Sequence, residues 1–524
     1  MQQQNRTKST LVNTSFAVMA RVVSMVMGFI QKTIFIRTLG MSYTGVSGLF
    51  TDILTVLSLA ELGISSAIAY SLYKPLADGD YRRVAQLMNF FKKAYHFIAA
   101  TVFIIGLCLV PLIPYIVRDV PDITESIQLI FFLYICNTAV TYLLVYKNTL
   151  LVADQKQYIV TNIQMLFTVI SIGTQCIMLK VFKQFLLYLV LQIVFSLLQN
   201  LTINYIATRK YPQLRQYSRE RISKGDKNKL FKDVKALMMY KIANVVLNGT
   251  DSTIISANLG TQQVGIAGSY NMVKGYLTSF IAQFYNALNP SLGNLAATEG
   301  KQRQYAFFKK INFATFWLAS FCSTSLFCLL NPFIRIWLGN ENWILPLGVV
   351  AINVLEFYLS IMMHPLGAFR QANGLFVQTK YVAIVKAIIN LVVSIALVKP
   401  LGILGVWLGT VVAYALSQLW YEPIVIYKEV FKRNVKSYYL TFIKYTIVTV
   451  ACSASITILM ERIFILDTVP DFLLRILLCL LVPNISIYLI YRKTEECKYA
   501  ITAINRVIAS IINRVRKGRK NKFI

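Results

Sequence analysis

The chain has 524 residues, of which 56% are hydrophobic and only 14% are charged. Soluble proteins carry about a quarter charged residues, so this composition excludes a string of soluble domains, and the abundant apolar residues exclude a disordered chain. Lys and Arg number 53 against 22 Asp and Glu, which gives a net charge of +31. Such an excess is typical of nucleic-acid binding or of an oriented membrane protein, and the positions of the charges decide between them.

Apolar stretches long enough to cross about 30 Å of hydrocarbon recur along the whole chain. We predict fourteen membrane spans, at 12–36, 45–72, 94–116, 126–152, 159–181, 184–207, 237–258, 264–290, 311–337, 345–369, 381–399, 404–427, 440–460 and 472–491. The expected fold class is an all-α polytopic membrane protein. Pro365 in the tenth span and Pro483 in the fourteenth are predicted to kink their helices.

The basic residues cluster on one side of these spans. With Met1 in the cytoplasm, the inner segments hold 39 of the 53 Lys and Arg, and the outer connections hold six. The outer segment 118–125, RDVPDITE, is mildly acidic instead. This positive-inside bias predicts that both termini are cytoplasmic.

A repeated motif indicates an internal duplication. LGMSYTGVSG at 39–48 recurs as LGTQQVGIAG at 259–268, and FFKK at 90–93 recurs at 307–310. Six spans separate the copies, so both halves run in the same direction through the membrane, as in parallel-repeat transporters. We therefore expect an N-lobe over 1–207, a basic cytoplasmic loop over 208–236, a C-lobe over 237–427, a further span pair within 428–491 and a cytoplasmic tail over 492–524.

Cysteine and histidine indicate neither a disulfide framework nor a metal centre. The eight cysteines lie mostly within apolar runs and include no CxxC pair, and the two histidines, His96 and His364, stand alone. No cofactor and no catalytic residue are predicted, so the chain is expected not to be an enzyme.

Eight cations fall inside the predicted spans, and they indicate an anionic ligand. The spacing that places Leu39 onto Leu259 in the repeat also places Arg21 onto Lys241, one in the first span of each half. Lys274 and Lys386 are further candidates for binding. A water-filled cleft with low-dielectric walls and several positive charges concentrates anions such as phosphates.

Acidic residues also occur inside the spans. Glu61, Asp251 and Glu356 lie deep, where a charge costs a few kcal/mol, and they are expected either to form internal salt bridges or to line a cavity and carry a coupling ion. A second group lies near span ends and is expected to reach the interface, namely Lys32, Lys147, Arg335, Arg475 and Glu422.

The two longest polar segments do not form nucleic-acid modules. The loop 208–236 and the tail 492–524 are basic, but they lack the size and the interleaved aromatics that such modules need. The tail places Ile501, Ile504, Ile508 and Ile511 on one helical face. It is either a basic amphipathic helix on an anionic leaflet or a solvated tail.

Residues 57–98, LSLAELGISSAIAYSLYKPLADGDYRRVAQLMNFFKKAYHFI, closely resemble the second-span signature and loop of Wzx-type polysaccharide or O-antigen repeat-unit flippases. The end of the first span, IFIRTLG, and the segment NGTDSTIISANLG at 248–260 also look like theirs. These flippases belong to the multidrug/oligosaccharidyl-lipid/polysaccharide exporter superfamily. The resemblance extends in layout over about 10–430, and the family's membrane Asp falls on Asp251.

The resemblance implies two six-helix lobes, with spans thirteen and fourteen as an extra pair. It implies a bacterial cytoplasmic-membrane protein that moves undecaprenyl-diphosphate-linked glycans to the outer leaflet. The diphosphate would be drawn in by Arg21 and Lys241, assisted by Lys274 and Lys386, and a proton or sodium gradient is the expected drive. Expected partners are membrane lipids, the glycan polymerase and glycosyltransferases, without nucleic acid.

Two alternatives remain. One is a multidrug or small-molecule exporter of the same superfamily, against which the cation-rich spans argue. The other is a membrane glycan polymerase or glycosyltransferase, which needs a sizeable loop that carries carboxylates or arginines. The longest predicted outer loop has only about ten residues, which argues against that second alternative.

Overall fold

The computed structural model describes residues 2–58, 64–117, 123–217, 220–223, 225, 227, 249–463, 469–503 and 505–506. These residues are almost entirely helical and contain no β-strand. The chain forms two compact units, Met1–Gly268 and Ser269–Ile524, which we call the first and the second unit. The all-α class predicted from the sequence is confirmed for the described residues.

The described part of the first unit contains ten helices and the beginning of an eleventh. They are α1 (Gln2–Leu39), α2 (Met41–Leu57), α3 (Ile64–Asp78), α4 (Tyr81–Leu109), α5 (Ile113–Ile116), α6 (Ile127–Leu143), α7 (Val145–Ala153), α8 (Gln157–Phe182), α9 (Phe185–Lys210), α10 (Asp251–Leu259) and the start of α11 (Thr261–Thr298). Helix α1 packs along α8, α4 along α6, and α9 against both α6 and α8.

The described part of the second unit contains the rest of α11, nine further helices and a helical stretch over 495–503. The nine helices are α12 (Lys301–Leu338), α13 (Leu347–Met362), α14 (His364–Ala372), α15 (Phe376–Thr379), α16 (Val382–Leu401), α17 (Ile403–Ala413), α18 (Leu419–Ile426), α19 (Lys436–Ile463) and α20 (Val469–Tyr491). Two π-helical segments, Tyr414–Gln418 and Tyr427–Phe431, extend α17 and α18. Helix α12 contacts α13, α19 and α20, so it lies at the centre of this unit.

Eleven helical stretches in the described part of the chain are long and apolar enough to cross a membrane. Their outward faces carry exposed large apolar side chains, among them Phe97, Ile104, Ile177, Val392 and Ile447. Side chains of this kind are stable where lipid surrounds the helix. The chain is a multi-pass membrane protein, and about fourteen spans are consistent with this set. Of the predicted second span, residues 59–63 lie outside the described residues, as do residues 237–248 of the seventh.

The two prolines that were expected to kink helices behave differently. Helix α13 ends at Met362, and Pro365 occupies the first turn of α14, where its missing N–H removes no helical hydrogen bond. The tenth predicted span is therefore two helices. Pro483 lies inside α20, which continues without a break to Tyr491.

The backbone supports the internal duplication. Gly40 (φ 95°) and Gly260 (φ 90°), which are equivalent positions of the repeated motif, adopt the same positive-φ conformation. Two more pairs of positive-φ residues recur at almost the same spacing along the chain, Gln155 (57°) with Gly374 (67°) and Lys183 (53°) with Gly402 (63°). Positive φ is uncommon outside glycine, so three pairs at a common spacing reflect a repeated chain path.

The two copies of the repeated motif contact each other within the first unit. A Cβ atom on Gly45 of α2 would overlap the carbonyl oxygen of Thr261 in the first turn of α11. A Cβ atom on Gly265 would lie 2.6 Å from the carbonyl oxygen of Met41. Gly265 and Thr261 are the counterparts of Gly45 and Met41 in the repeat, so the contact is symmetric and backbone meets backbone.

We predict that Gly45→Ala and Gly265→Ala each destabilise the protein, because the added methyl groups overlap backbone atoms. Overpacking of this kind costs about 1–3 kcal/mol. Thermal unfolding of the full chain in detergent measures the effect as a melting temperature several degrees lower. Gly268→Ala is the matched control, because a Cβ atom there meets nothing within 4 Å. Equal melting temperatures for all three variants would contradict the prediction.

Candidate functional site

The structure describes five of the seven predicted site residues. Lys241 and Glu61 lie outside the described residues. Of the others, Arg21 and Asp251 belong to the first unit, whereas Lys274, Lys386 and Glu356 belong to the second.

Lys274 of α11 and Glu356 of α13 form an ion pair. Lys274 Nζ lies 2.6 Å from Glu356 Oε2, and the two side chains are 13% and 20% exposed. The same Nζ lies 5.8 Å from the ring centroid of Trp407 on α17, a cation–π distance. Two residues predicted from the sequence to serve different roles therefore neutralise each other.

A neutral polar contact accompanies this ion pair one helical turn away. Asn353 Nδ2 donates a hydrogen bond of 3.0 Å to Asn271 Oδ1. Asn271 precedes Lys274 by three residues on α11, and Asn353 precedes Glu356 by three residues on α13. Residues three apart share a helix face, so α11 and α13 meet along a polar stripe. Asn353 is fully buried, which makes this stripe part of the interior of the second unit.

A second charged group joins α14, α16 and α18. Arg370 Nη1 lies 2.5 Å from Glu422 Oε1, and Gln418 Nε2 donates to Glu422 Oε2 over 3.2 Å. Lys386 Nζ in turn donates to Gln418 Oε1 over 3.3 Å and lies 3.2 Å from the Tyr414 ring centroid. Arg370 and Lys386 are 8% exposed and Glu422 is 1% exposed. The network is thus a chain of two cations, one carboxylate and one amide inside the protein.

The position of Glu422 corrects the expectation that it lies at the membrane interface. It falls near the end of a predicted span, but α14 covers it and supplies Arg370 as its partner. Arg370 falls one residue beyond the predicted tenth span, because the sequence does not show that α14 is a separate helix. The opposite charges near the ends of the predicted tenth and twelfth spans were the available signal for this pair.

The π-helical segment Tyr414–Gln418 shapes this network. A π-helix inserts an extra residue per turn and changes which side chains face the interior, and such segments occur frequently at functional sites. Here the segment contains both Lys386 contacts, Tyr414 and Gln418. Tyr414 follows Trp407 by seven residues, about 10 Å along the helix. The two charged groups therefore follow each other along one helical line.

The first unit presents a different arrangement. Arg21 lies on the exposed face of α1 and has no ion-pair partner among the described residues. Asp251 stands in the first turn of α10, where the helix dipole favours a carboxylate. One interior contact of this unit is neutral: Gln31 of α1 donates to Gln175 (2.9 Å) and Tyr188 (2.7 Å).

The chain matches no protein-family profile, and no curated protein is similar to it in sequence. Solved structures are similar in fold. The lipid II flippase MurJ, in an inward closed conformation, matches with a TM-score of 0.63 and 14% identity over 91% of this chain and 98% of the flippase. An inward-facing multidrug resistance MATE transporter matches with a TM-score of 0.58 and 14% identity, over 76% of this chain and 93% of its own. A MATE transporter of Vibrio cholerae matches with a TM-score of 0.51 and 13% identity, over 82% and 100%.

These similarities define the fold of the chain. It is an all-helical membrane protein whose fold is similar to that of the lipid II flippase MurJ and of MATE transporters. The finer resemblance to O-antigen flippases stays a prediction, as do the roles of the individual site residues.

We predict that Arg370→Gln lowers the free energy of unfolding by about 3–5 kcal/mol, because it leaves the Glu422 carboxylate buried without its cation. The double variant Arg370→Met with Glu422→Leu should recover most of this loss, since it removes both charges. Thermal unfolding in detergent reports the differences.

The exposed pair Arg303–Glu299 supplies the control for this experiment. Its side chains are 77% and 32% exposed, and Arg303→Gln should cost less than about 1 kcal/mol. A shift for Arg370→Gln no larger than that for Arg303→Gln would show that the buried pair is not structural.

Proposed function

We propose that the protein is a flippase for undecaprenyl-diphosphate-linked oligosaccharide repeat units, which are precursors of O-antigen, capsule or another surface polysaccharide. It carries them from the cytoplasmic to the outer leaflet of the bacterial cytoplasmic membrane by alternating access of its two lobes. The observation that carries the proposal is the similarity in fold to a lipid II flippase over 91% of this chain and 98% of that protein. The sequence resemblance to repeat-unit flippases supports the same class of cargo.

The charges inside the helices support an anionic cargo. The interior groups of the second unit include one more cation than carboxylates. The cations are Lys274, Arg370, Lys386 and Arg475, and the carboxylates are Glu356, Glu422 and Asp471. In the proposal, Arg21 and Lys241 bind the diphosphate first, and Lys274 and Lys386 assist. Lysine and arginine suit phosphate because ammonium and guanidinium groups form charge-assisted hydrogen bonds with its oxygens.

The ion pair of Lys274 has a specific place in this mechanism. Glu356 neutralises Lys274 while no cargo is bound. When the diphosphate enters, it replaces Glu356 as the partner of the Lys274 ammonium group. Cargo binding then releases a carboxylate, which can accept a proton or a sodium ion. This exchange links cargo binding to the gradient that drives transport, with Asp251 and Glu61 as further candidates for the coupling ion.

The alternative is a small-molecule exporter of the same superfamily. The specific observation in its favour is the similarity in fold to MATE transporters, which cover up to 82% of this chain at TM-scores of 0.51 and 0.58. The flippase covers more of the chain than either transporter does, and the excess of interior cations is unsuited to cationic drugs.

We predict that Arg21→Gln combined with Lys241→Gln lowers glycan delivery to the cell surface at least tenfold, because the diphosphate loses both first contacts. Protein abundance should stay at the wild-type level. Flipping of a fluorescent undecaprenyl-diphosphate oligosaccharide in proteoliposomes measures the same loss directly.

The double variant Lys180→Gln with Lys399→Gln is the control, since it removes two exposed cations at helix ends. Wild-type flipping by the Arg21/Lys241 variant would end the proposed binding role. Drug export by the wild-type protein in a pump-deficient host, without glycan flipping, would favour the exporter instead.

We predict opposite effects for the two halves of the interior ion pair. Glu356→Gln frees Lys274, so the cargo should bind several-fold more tightly while turnover falls. Lys274→Gln should weaken cargo binding several-fold. The exchanged pair Lys274→Glu with Glu356→Lys should restore thermal stability but not transport. Identical changes in cargo affinity for both single variants would mean that the pair is only structural.

A further inference from the structure

A cavity of about 240 Å³ with both polar and apolar lining residues lies in the second unit between α12, α19 and the segment that follows α20. Its lining includes Lys309 and Asn312 from α12, Tyr438 and Lys444 from α19, and Glu496. The charge pattern of the sequence predicts that all three segments meet at the cytoplasmic end of the helices. None of the residues in the two interior charged groups described above lines this cavity, so it is a separate site.

Two buried polar groups in the lining have no hydrogen-bond partner among the described residues. Asn312 is 5% exposed and Tyr438 is 2% exposed. The Asn312 Oδ1 atom and the Tyr438 hydroxyl make no hydrogen bond within the described part of the chain. Buried polar atoms are almost always hydrogen-bonded, so two unpartnered ones around one cavity indicate a ligand that supplies the missing contacts.

The charges around the cavity favour an anion. Lys309 and Lys444 line it, and Glu496, 3.0 Å from Lys309 Nζ, is the one carboxylate among the described lining residues. Burial raises the pKa of Glu496, but the hydrogen bond from Lys309 and the nearby charges of Lys309 and Lys310 outweigh it, so its pKa is lowered. The carboxylate stays ionised and offsets one lysine. Arg433, 4.5 Å from the ring of the lining residue Tyr305, keeps the balance positive.

The two unpartnered groups specify the ligand further. The Tyr438 hydroxyl is available to donate to a phosphate oxygen, whereas Asn312 Oδ1 accepts and requires a donor on the ligand. A phosphate ester that also carries a free hydroxyl group meets both requirements. Inorganic anions without a donor satisfy only half of the site.

The surroundings of Lys444 indicate that this ester is part of a lipid. Leu440 and Ile447, four residues before and three residues after Lys444 on α19, are 62% and 61% exposed. Ile443 is 53% exposed beside them. Acyl chains can lie along this apolar surface while the headgroup enters the cavity, an arrangement that basic pockets between membrane helices use for anionic lipids.

We propose that this cavity binds the headgroup of an anionic phospholipid of the cytoplasmic leaflet, a phosphodiester that carries a hydroxyl group. Lys309 and Lys444 bind the phosphate, the Tyr438 hydroxyl donates to it, and Asn312 accepts from the headgroup hydroxyl. The lipid fastens α19 and the segment after α20 to α12. It is a bound component of the protein and not its cargo, so this proposal is independent of the proposed function.

The test measures lipid binding to the purified full chain by native mass spectrometry and by thermal shift. Phosphatidylglycerol should bind and raise the melting temperature by several degrees, and phosphatidylcholine should do neither. Lys309→Gln with Lys444→Gln should weaken phosphatidylglycerol binding at least tenfold, and Tyr438→Phe, which removes one hydroxyl only, several-fold. Lys436→Gln is the control, because this exposed lysine of α19 does not line the cavity.

Three results would overturn the proposal. Unchanged phosphatidylglycerol binding by both the double lysine variant and Tyr438→Phe would exclude the cavity as its site. Equal binding of phosphatidylcholine would exclude recognition of an anionic headgroup. Soluble glycerol phosphate that binds as tightly as the lipid would identify the cavity as a site for a soluble phosphate ester. If the double lysine variant does not fold, Tyr438→Phe is tested alone. Weaker phosphatidylglycerol binding then supports the proposal, and unchanged binding excludes the cavity as the lipid site.

Discussion

The contact between α2 and α11 depends on the absence of two Cβ atoms. Gly45 and Gly265 bring the backbones of the two repeated motifs together, and any larger residue at Gly45 would overlap the carbonyl oxygen of Thr261. Inside a bilayer, helix association gains little from hydrophobicity, because lipid is as apolar as the side chains, and close packing of small residues replaces it. The duplicated glycine motif therefore provides at one point the packing that a soluble protein would obtain from a hydrophobic core.

The two copies of the repeat share a similar backbone path but not the same interior charged residues. The five charged residues of the two groups described in the second unit are Lys274, Glu356, Arg370, Lys386 and Glu422. At the spacing of 220 residues for Lys274 and 219 residues for the others, their counterparts in the first unit are Leu54, Asn137, Leu151, Phe167 and Ile203. Leu54, Leu151 and Ile203 are buried apolar residues. The second unit thus contains charged residues at positions where the first unit has uncharged ones.

The sequence was sufficient to predict the fold class and the approximate positions of the long apolar helices, because hydropathy is a local property of the chain. It did not show where single predicted spans divide into two helices, as in the tenth. The sequence did not show which charged residues pair with each other. Lys274 and Glu356 are far apart in the sequence, and which face of α11 meets α13 depends on packing that hydropathy does not report. Arg370 was misplaced for a related reason: the helix break near Pro365 turned the end of one predicted span into a separate covering helix.

Because Lys274 is already paired with a carboxylate inside the protein, an anion must compete with that carboxylate to bind it. A charge in low-dielectric surroundings is stable only with a counter-charge, so Lys274 has Glu356 as its partner, and Glu422 has Arg370. An anionic cargo that reaches Lys274 must replace a carboxylate that is already in place, and its affinity is the difference between two favourable interactions. Arg21 is exposed and has no such competitor among the described residues. Under the proposed function, Arg21 therefore attracts the diphosphate, whereas Lys274 exchanges Glu356 for the diphosphate once the cargo is bound.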